Sequence, residues 1–433
     1  MQNVEAIRES ILYIEENLKT DITAAELAQM AGYSVWHYQR LFAQAVGMSL
    51  AAHINRRRLE RALKEIQEKR KAVDVALEYG FDTYAGFYKS FLRAYGCSPQ
   101  KYLALYQGRI NTKETSRMYT EKELRGILTH WDIPQNEMIR GIQVMDGAKT
   151  AGTVWQVGKD YILKTGKRDT LLQSARIAEA IAAQGFAAAV PLPTKAGHLF
   201  ATEEQGDFIL MPRLKGGPLP KTERFGKGHA EYGFRYGQAI ARLHRALAAV
   251  EEDIQPFEQN LFAHVTEWAL PEVQKQNIQW DMGLPDSFFE EYTRRFGVLS
   301  GKLPRQLIHR DPNPGNILFS GGEVSGFIDF DLSERNVRLW DPCYCATGIL
   351  SERRGAENAY DIFPTMLSSI LRGYDSVEPL TADEKQAVYD VACSIQMICV
   401  AWFEGTQQHD LAKANRETLQ TFARHREWFD RLF

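Results

Sequence analysis

A chain of 433 residues exceeds what one hydrophobic core usually serves, so two or three domains of about 150 residues each are expected. Its composition, 44% apolar and 25% charged, is that of an ordinary soluble protein. No basic start leads into an apolar leader, and no apolar run approaches the roughly 18 residues that span a bilayer, so no membrane and a cytoplasmic location are expected. Net charge is −3, yet residues 33–111 hold 13 Lys or Arg against 6 Asp or Glu. Such asymmetry suggests a nucleic-acid-facing end, although a solvated helix face produces it too.

Val4, Ile7, Ile11, Ile14 and Leu18 recur at three- and four-residue steps and predict a first amphipathic helix. Thr23 and Glu26 have capping-box spacing and predict a second helix through Met30, closed by Gly32. Ser34 then caps a helix over Val35–Ala45, with Trp36, Gln39 and Arg40 on one side and Leu41 and Phe42 on the other. Helix, glycine turn, helix is the layout of a helix-turn-helix, and it recurs. A helix Leu59–Gln67, preceded by the basic run Arg56–Arg58, leads to Val73–Glu78, a turn at Gly80–Asp82 and a helix Thr83–Ala94. There Tyr84, Ala85, Tyr88 and Lys89 face outward and Phe87 and Phe91 inward.

The phrases LAQMAGYSVWHYQRLFAQAVG and ALEYGFDTYAGFYKSFLRAYGCSPQKY make residues 23–103 resemble the DNA-binding domain of AraC/XylS-type transcription regulators. That resemblance implies an all-α domain with two helix-turn-helix units joined by a helix. Each recognition helix enters a major groove of double-stranded promoter DNA, about 34 Å apart on one face. Trp36, Gln39 and Arg40 occupy the first base-reading face, and Tyr84, Ala85, Tyr88 and Lys89 the second. Gln39 suits adenine and Arg40 guanine, while either suits phosphate. Packing between helices is the alternative for Trp36 and Tyr88. A solvated, phosphate-near face is the reading of Arg56–Arg58.

Residues 104–119 lack apolar periodicity and read as a linker, so an N-terminal domain over residues 1–107 and a linker over 108–119 are expected. Thr120 and Glu123 form a second capping box, opening a helix to about Trp131. Thr153–Val157 and Tyr161–Lys164 are apolar-rich strands around a Gly158–Asp160 turn. Lys164 ends the second strand, where a nucleotide kinase holds phosphate, though a lone lysine is more often a surface residue. The helix Ser174–Gln184 offers Glu179 as its ion-pair partner, and covering of phosphate falls to the hairpin around Gly152 and Thr153. The strand Phe208–Leu214 runs into Gly216–Leu219 and suits a hinge, with backbone from Met211 to Leu214 open to an adenine edge. His244, in the helix Tyr236–Leu247, reads as a packed or capping histidine.

The densest chemistry lies in LIHRDPNPGNILFSGGEVSGFIDFD, from Leu307 to Asp331. Phosphoryl transfer asks for a carboxylate at the attacking hydroxyl, with an amide oxygen and a second carboxylate on magnesium. Asp311, Asn316 and Asp329 stand in that order, whereas each alone reads as a polar turn residue. Together with TVWQVG, YILK, ILMPRLKGGPL, GQAIARLHRAL and Trp340–Pro342, the stretch makes residues 121–433 resemble the aminoglycoside phosphotransferase and choline-kinase-like family. The segment 250–300 and the tail beyond 345 match in helical character alone.

This implies an α+β bilobal kinase-like fold, with a sheet-based lobe over residues 120–215 and a helical lobe over 216–433. By the same resemblance it uses ATP or GTP with Mg2+. Asp311 becomes the general base or hydroxyl-orienting carboxylate, Asn316 and Asp329 the magnesium ligands, and Lys164 the phosphate ligand. His309 becomes a loop brace, and Asp331 and Asp341 supporting or cap residues. Arg310 departs from the pattern, standing where the family usually has glycine. The cysteines Cys97, Cys343, Cys345, Cys393 and Cys399 are odd in number and lack C-x-x-C spacing, so no disulfide framework or zinc site is expected. The expected function is a transcription regulator whose phosphotransferase-like part binds nucleotide and a small molecule. A bifunctional small-molecule kinase and a catalytically silent ligand sensor are the alternatives, and a homodimer is an open assembly state.

Overall fold

The computed structural model describes residues 2–46, 49–67, 70–95, 99, 119–142, 153–204, 206–254, 256–353, 355–406 and 408–433. Residues 108–118 of the expected linker, Gly152 and Cys97 lie outside them. Two compact units result: Met1–Arg168 with Pro191–Arg213, and Asp169–Val190 with Leu214–Phe433. The chain leaves the first unit after Arg168, returns to it at Pro191 and leaves it again after Arg213.

The first six helices are α1 (Gln2–Glu16), α2 (Ala24–Met30), α3 (Val35–Val46), α4 (Leu50–Gln67), α5 (Ala72–Glu78) and α6 (Tyr84–Tyr95). Ile7, Ile11, Ile14 and Leu18 meet Leu27, Tyr38, Phe42, Leu59, Leu63, Val75, Phe87 and Phe91 in one core. The joining helix starts at Leu50, nine residues earlier than the sequence suggested, because Leu50 and Ile54 carry its buried stripe back toward α3. The capping box at α2 is half made. Thr23 accepts from the Glu26 N–H at 3.1 Å, but the Glu26 carboxylate takes the Tyr13 hydroxyl at 2.6 Å instead of reaching back.

Both turns of the helix pairs are left-handed glycines, Gly32 at φ 72° and Gly80 at φ 76°. At Gly80 a Cβ would also lie 2.9 Å from the Arg58 guanidinium. Arg58 itself donates to the carbonyls of Leu18 at 3.0 Å and Thr20 at 2.6 Å, tying α4 to the chain after α1.

The same unit holds a separate core of Leu124, Ile127, Leu128, Trp131, Trp155, Val157, Leu163, Phe208 and Leu210. Helix α7 (Glu121–Leu128) opens with the complete Thr120–Glu123 capping box. An antiparallel sheet of order β1–β2–β3–β5–β4 follows, from β1 (Ile139–Gly141), β2 (Val154–Val157), β3 (Tyr161–Gly166), β4 (Ala201–Glu203) and β5 (Gly206–Pro212).

In the second unit, α8 (Arg168–Ala183, from its second residue on) begins six residues before the expected Ser174 and buries Leu171, Ala175, Ile177, Ala178 and Ile181. After β6 (Gly217–Pro218) and α9 (Lys221–Arg224) comes the 26-residue α10 (His229–Ile254). α11 (Leu261–His264), a π-turn over Val265–Ala269, α12 (Leu270–Gln279) and α13 (Asp286–Ser300) fill the stretch that carried no motif. Strands β7 (Arg305–Ile308) and β10 (Glu334–Val337) pair with each other, and β8 (Ile317–Ser320) lies between β6 and β9 (Glu323–Phe327). α14 (Trp340–Ser351), α15 (Ala359–Asp375), α16 (Ala382–Gly405) and α17 (His409–Arg424) complete it.

Helices α10 and α15 cross in close contact because Gly237 and Gly373 put no side chain there, where a Cβ would overlap the Ile370 and Phe234 carbonyls. Helix α16 corrects one expectation, since Ala382–Gly405 is long and apolar enough to cross a bilayer. Its apolar side chains, among them Val388, Val391, Ile395, Met397 and Val400, are instead buried inside the unit.

Candidate active site and nucleic-acid interface

Helix α3 divides its two faces as its periodicity requires. Tyr38 and Phe42 enter the core, while Trp36 is 69% exposed and Gln39 and Arg40 are exposed beside it. The Arg40 guanidinium lies 5.0 Å from the Trp36 ring centroid, a cation–π contact that leaves both groups at the surface. On α6, Ala85 and Lys89 are exposed and Tyr88 is half-buried. Tyr84 corrects the sequence reading, because it leans onto the core with its ring 5.8 Å from that of Phe87.

The basic run is corrected as well. Arg57 is 1% exposed and pairs with Glu15, its Nη2 donating at 2.8 Å, and Arg61 adds a bond to the same carboxylate at 2.9 Å. Burial pushes the Glu15 carboxyl up, but the Arg57 and Arg61 guanidiniums outweigh it and hold the group below its ordinary range. Position 57 thus braces α4 against α1 rather than facing solvent. Next to it His53 is 2% exposed, and burial together with the Arg57 and Arg56 charges lowers its pKa to about 4.

In the second unit the chain leaving β7 forms a tight loop from His309 to Asn316, anchored by one buried carboxylate. Asp341, fully buried in the first turn of α14, accepts from the backbone N–H of His309 at 2.9 Å and of Arg310 at 3.0 Å. Its Oδ2 also meets His244 Nε2 at 2.8 Å, and His244 Nδ1 meets the Tyr374 hydroxyl at 2.7 Å. His309 Nε2 lies 3.0 Å from the Ile328 carbonyl, which ties the loop to the residue before Asp329.

These contacts aim Asp311. Its Oδ1 accepts from Asn313 Nδ2 at 2.9 Å and its Oδ2 from Asn316 Nδ2 at 3.1 Å, and the Tyr344 hydroxyl lies near the same carboxylate. Burial pushes the Asp311 pKa up, and the nearby Asp329 charge adds to this. The Asn313 bond, the charge of His309 and the Tyr344 hydroxyl oppose it. Asn316 also donates to the Asp311 carbonyl at 2.9 Å, so its Nδ2 is committed and its Oδ1 is turned the other way, as an oxygen donor set requires. Asp329 sits at φ 67°, ψ 66°, a left-handed conformation that a side-chain-bearing residue holds only when its surroundings impose it.

Among the described residues no three His, Cys, Asp or Glu side chains group to hold a metal. One carboxylate with one amide oxygen is the sparser set that magnesium takes when phosphates supply the rest.

Of the remaining expected residues, Lys164 is 8% exposed in β3, opposite Val154 of β2 and Ile209 of β5. The strand runs on to Gly166 instead of ending at the lysine. Met211 pairs with Ile162 across β3 and β5 and is half-buried, as is Leu214. Glu179 is exposed on α8. Cys343, Cys345 and Cys393 are buried free thiols, and Cys399 is a half-buried one.

Sequence reasoning missed Tyr344 and Glu334. Tyr344 follows Trp340 by four residues, so their rings stack at 5.7 Å, a helical spacing that pointed to a shared face. Glu334, 3% exposed and 2.7 Å from Arg310 Nε, left no signal in the sequence.

The first unit carries two helix-turn-helix pairs with an exposed aromatic and basic face on α3, and the second holds Asp311 and Asn316 on one loop and Asp329 two residues after β9, the layout of a helix-turn-helix region followed by a kinase-like fold. The profile described as "Phosphotransferase enzyme family" matches residues 147–380, and one described as "Helix-turn-helix domain" matches residues 27–104. The chain belongs to the phosphotransferase enzyme family and carries an AraC-type helix-turn-helix domain ahead of it.

It is 27% identical over 274 residues to a homoserine kinase of Agrobacterium fabrum, covering 62% of this chain and 80% of that one. It is 41% identical over 97 residues to the HTH-type transcriptional activator AarP of Providencia stuartii, covering 22% and 72%. The solved microcompartment-associated aminopropanol kinase shares the fold at a TM-score of 0.50 and 16% identity, covering 72% of this chain and 100% of that one.

Proposed function

We propose that this protein is a transcription regulator in which the N-terminal helices bind promoter DNA and the phosphotransferase domain binds ATP or GTP with Mg2+ and a small hydroxyl- or amine-bearing ligand. The observation that carries this reading is the Asp311, Asn316 and Asp329 set on the same chain as the exposed Trp36, Gln39 and Arg40 face. Trp36, Gln39 and Arg40 are the base-reading residues of the first unit, and Ala85, Tyr88 and Lys89, with Tyr84 at their edge, those of the second. Lys164 binds phosphate, and the Met211 and Leu214 backbone takes the adenine edge.

Asn316 and Asp329 hold the metal, whose bound charge neutralises the phosphates. Asp311, desolvated and held by Asn313 and Asn316, accepts a hydrogen bond from the ligand hydroxyl and orients it. A ligand that favours one domain arrangement over another shifts DNA affinity by its differential binding energy.

The second reading is turnover, and the elevated Asp311 pKa supports it, since a general base gains from a pKa nearer neutrality. The names of the homoserine and aminopropanol kinases point to a small amino alcohol as the acceptor. On this reading the protein works in the cytoplasm.

Calorimetry with Mg-ATP is expected to show binding heat. Promoter DNA is expected to bind more tightly than random duplex, with affinity falling steeply with salt. Equal affinity for the two duplexes refutes the regulator, and absence of nucleotide heat at millimolar ATP refutes the nucleotide site. ATP consumption over homoserine, amino alcohols, choline-like amines, sugars and aminoglycosides separates sensing from turnover.

A further inference from the structure

Arg310 adopts φ 75°, a conformation that side-chain-bearing residues keep only where several contacts impose it. Those contacts are on hand. Its N–H donates to Asp341 Oδ1 at 3.0 Å, and its carbonyl accepts from Trp340 Nε1 at 2.9 Å. The guanidinium lies 3.5 Å from the Trp340 ring centroid, and its Nε is 2.7 Å from Glu334 Oε1. Glu334 is buried at the start of β10, opposite Ile308 of β7, and also accepts from Asn336 Nδ2 at 2.8 Å.

Arg310 directly precedes Asp311, and Glu334 lies five residues beyond Asp329. The residue between that segment and β10, Ser333, gives its carbonyl to Gln173 of α8 at 2.9 Å. A desolvated guanidinium–carboxylate pair is rigid because losing either partner strands a buried charge.

We propose that Arg310 and Glu334 form a clamp that fixes the loop bearing Asp311 to the segment leaving Asp329, which makes Arg310 a positioning residue. The positioning role rests on the phosphotransferase reading above. The counter-charge belongs to the sheet, so the clamp is set by folding and not by a ligand.

The test uses the full-length protein as wild type, Arg310→Gly, Arg310→Lys and Glu334→Gln. Amide hydrogen exchange is measured over residues 309–316 and 328–334, along with kcat and KM for ATP on an accepted alcohol. Exchange in both segments is expected to rise at least about tenfold in Arg310→Gly and Glu334→Gln, with partial rescue in Arg310→Lys. kcat is expected to fall by up to about 100-fold at unchanged KM for ATP, since a small misplacement of a reacting group costs that much.

Lowered melting temperature with wild-type exchange in both segments and wild-type kcat makes the pair merely structural and overturns the clamp. A wild-type chain that gives no Mg-ATP heat refutes the phosphotransferase reading and with it the positioning role. The clamp itself then stands or falls on the exchange data.

Discussion

Replacing Asp341 with Asn tests how the second unit holds its chemistry. The wild-type carboxylate is fully buried and accepts three hydrogen bonds, from the His309 and Arg310 amides and from His244 Nε2, at 2.8–3.0 Å. A hydrogen bond to a charged acceptor contributes about 1.5–3 kcal/mol, and leaving a buried donor unsatisfied adds about 1–3 kcal/mol.

Asn keeps one acceptor oxygen and turns an NH2 toward at least one buried donor, so one bond is lost and one donor opposes another. The expected destabilisation is about 3–5 kcal/mol, a large share of the roughly 5–15 kcal/mol that a domain has. Urea unfolding of the full-length protein measures it, and hydrogen exchange at the His309 and Arg310 amides shows whether the loop loosens. Asp410→Asn, on an exposed residue in the first turn of α17, is the control, expected to change stability by no more than about 0.5 kcal/mol. A loss below about 1 kcal/mol for Asp341→Asn, with protected loop amides, refutes the anchoring role.

The helix-turn-helix region is expected to lose about 3 kcal/mol as pH falls from 6.5 to 4, because His53 stays neutral when folded, to about pH 4, but protonates near 6.5 when unfolded. Its contribution is thus intact above pH 6.5, and thermal melts of His53→Leu should show a flatter profile across that window. Glu15→Gln is expected to destabilise the same region by about 3–5 kcal/mol by stranding the buried Arg57 charge, and urea titration checks this. Arg40→Ala is expected to weaken promoter binding by about 1–3 kcal/mol. If the salt slope of binding also falls by about one, Arg40 holds phosphate, and if sequence preference relaxes instead, it reads a base. Asp311→Asn is expected to abolish any ATP turnover and keep Mg-ATP heat. In the wild type, kcat/KM should drop on acidification with a midpoint above the ordinary aspartate value of about 3.9.

Helix positions and core faces in the N-terminal region were legible because a period of 3.6 and left-handed glycines at turns are local properties. The starts of α4 and α8 were misplaced for lack of such markers, since tertiary burial of Leu50 and Leu171 extends them. The exposed character of Trp36, Gln39 and Arg40 followed from periodicity alone, whereas Tyr84, one turn from Tyr88, was pulled onto the core by Phe87. The buried role of Arg57 was invisible, because its partner Glu15 is 42 residues away and each charge taken alone reads as solvated.

By itself the sequence determined which chemical groups are present and in what order: Asp311, Asn316 and Asp329 around tight turns, after a paired helix-turn-helix. Short-range spacing carries that information. Only the tertiary structure decided that Asp341, thirty residues downstream of Asp311, holds the loop, that Glu334 neutralises Arg310, and that α16 is a core helix and not a membrane span. Those outcomes depend on which distant groups share a buried volume, where an unpaired donor or charge is costly enough to fix its partner.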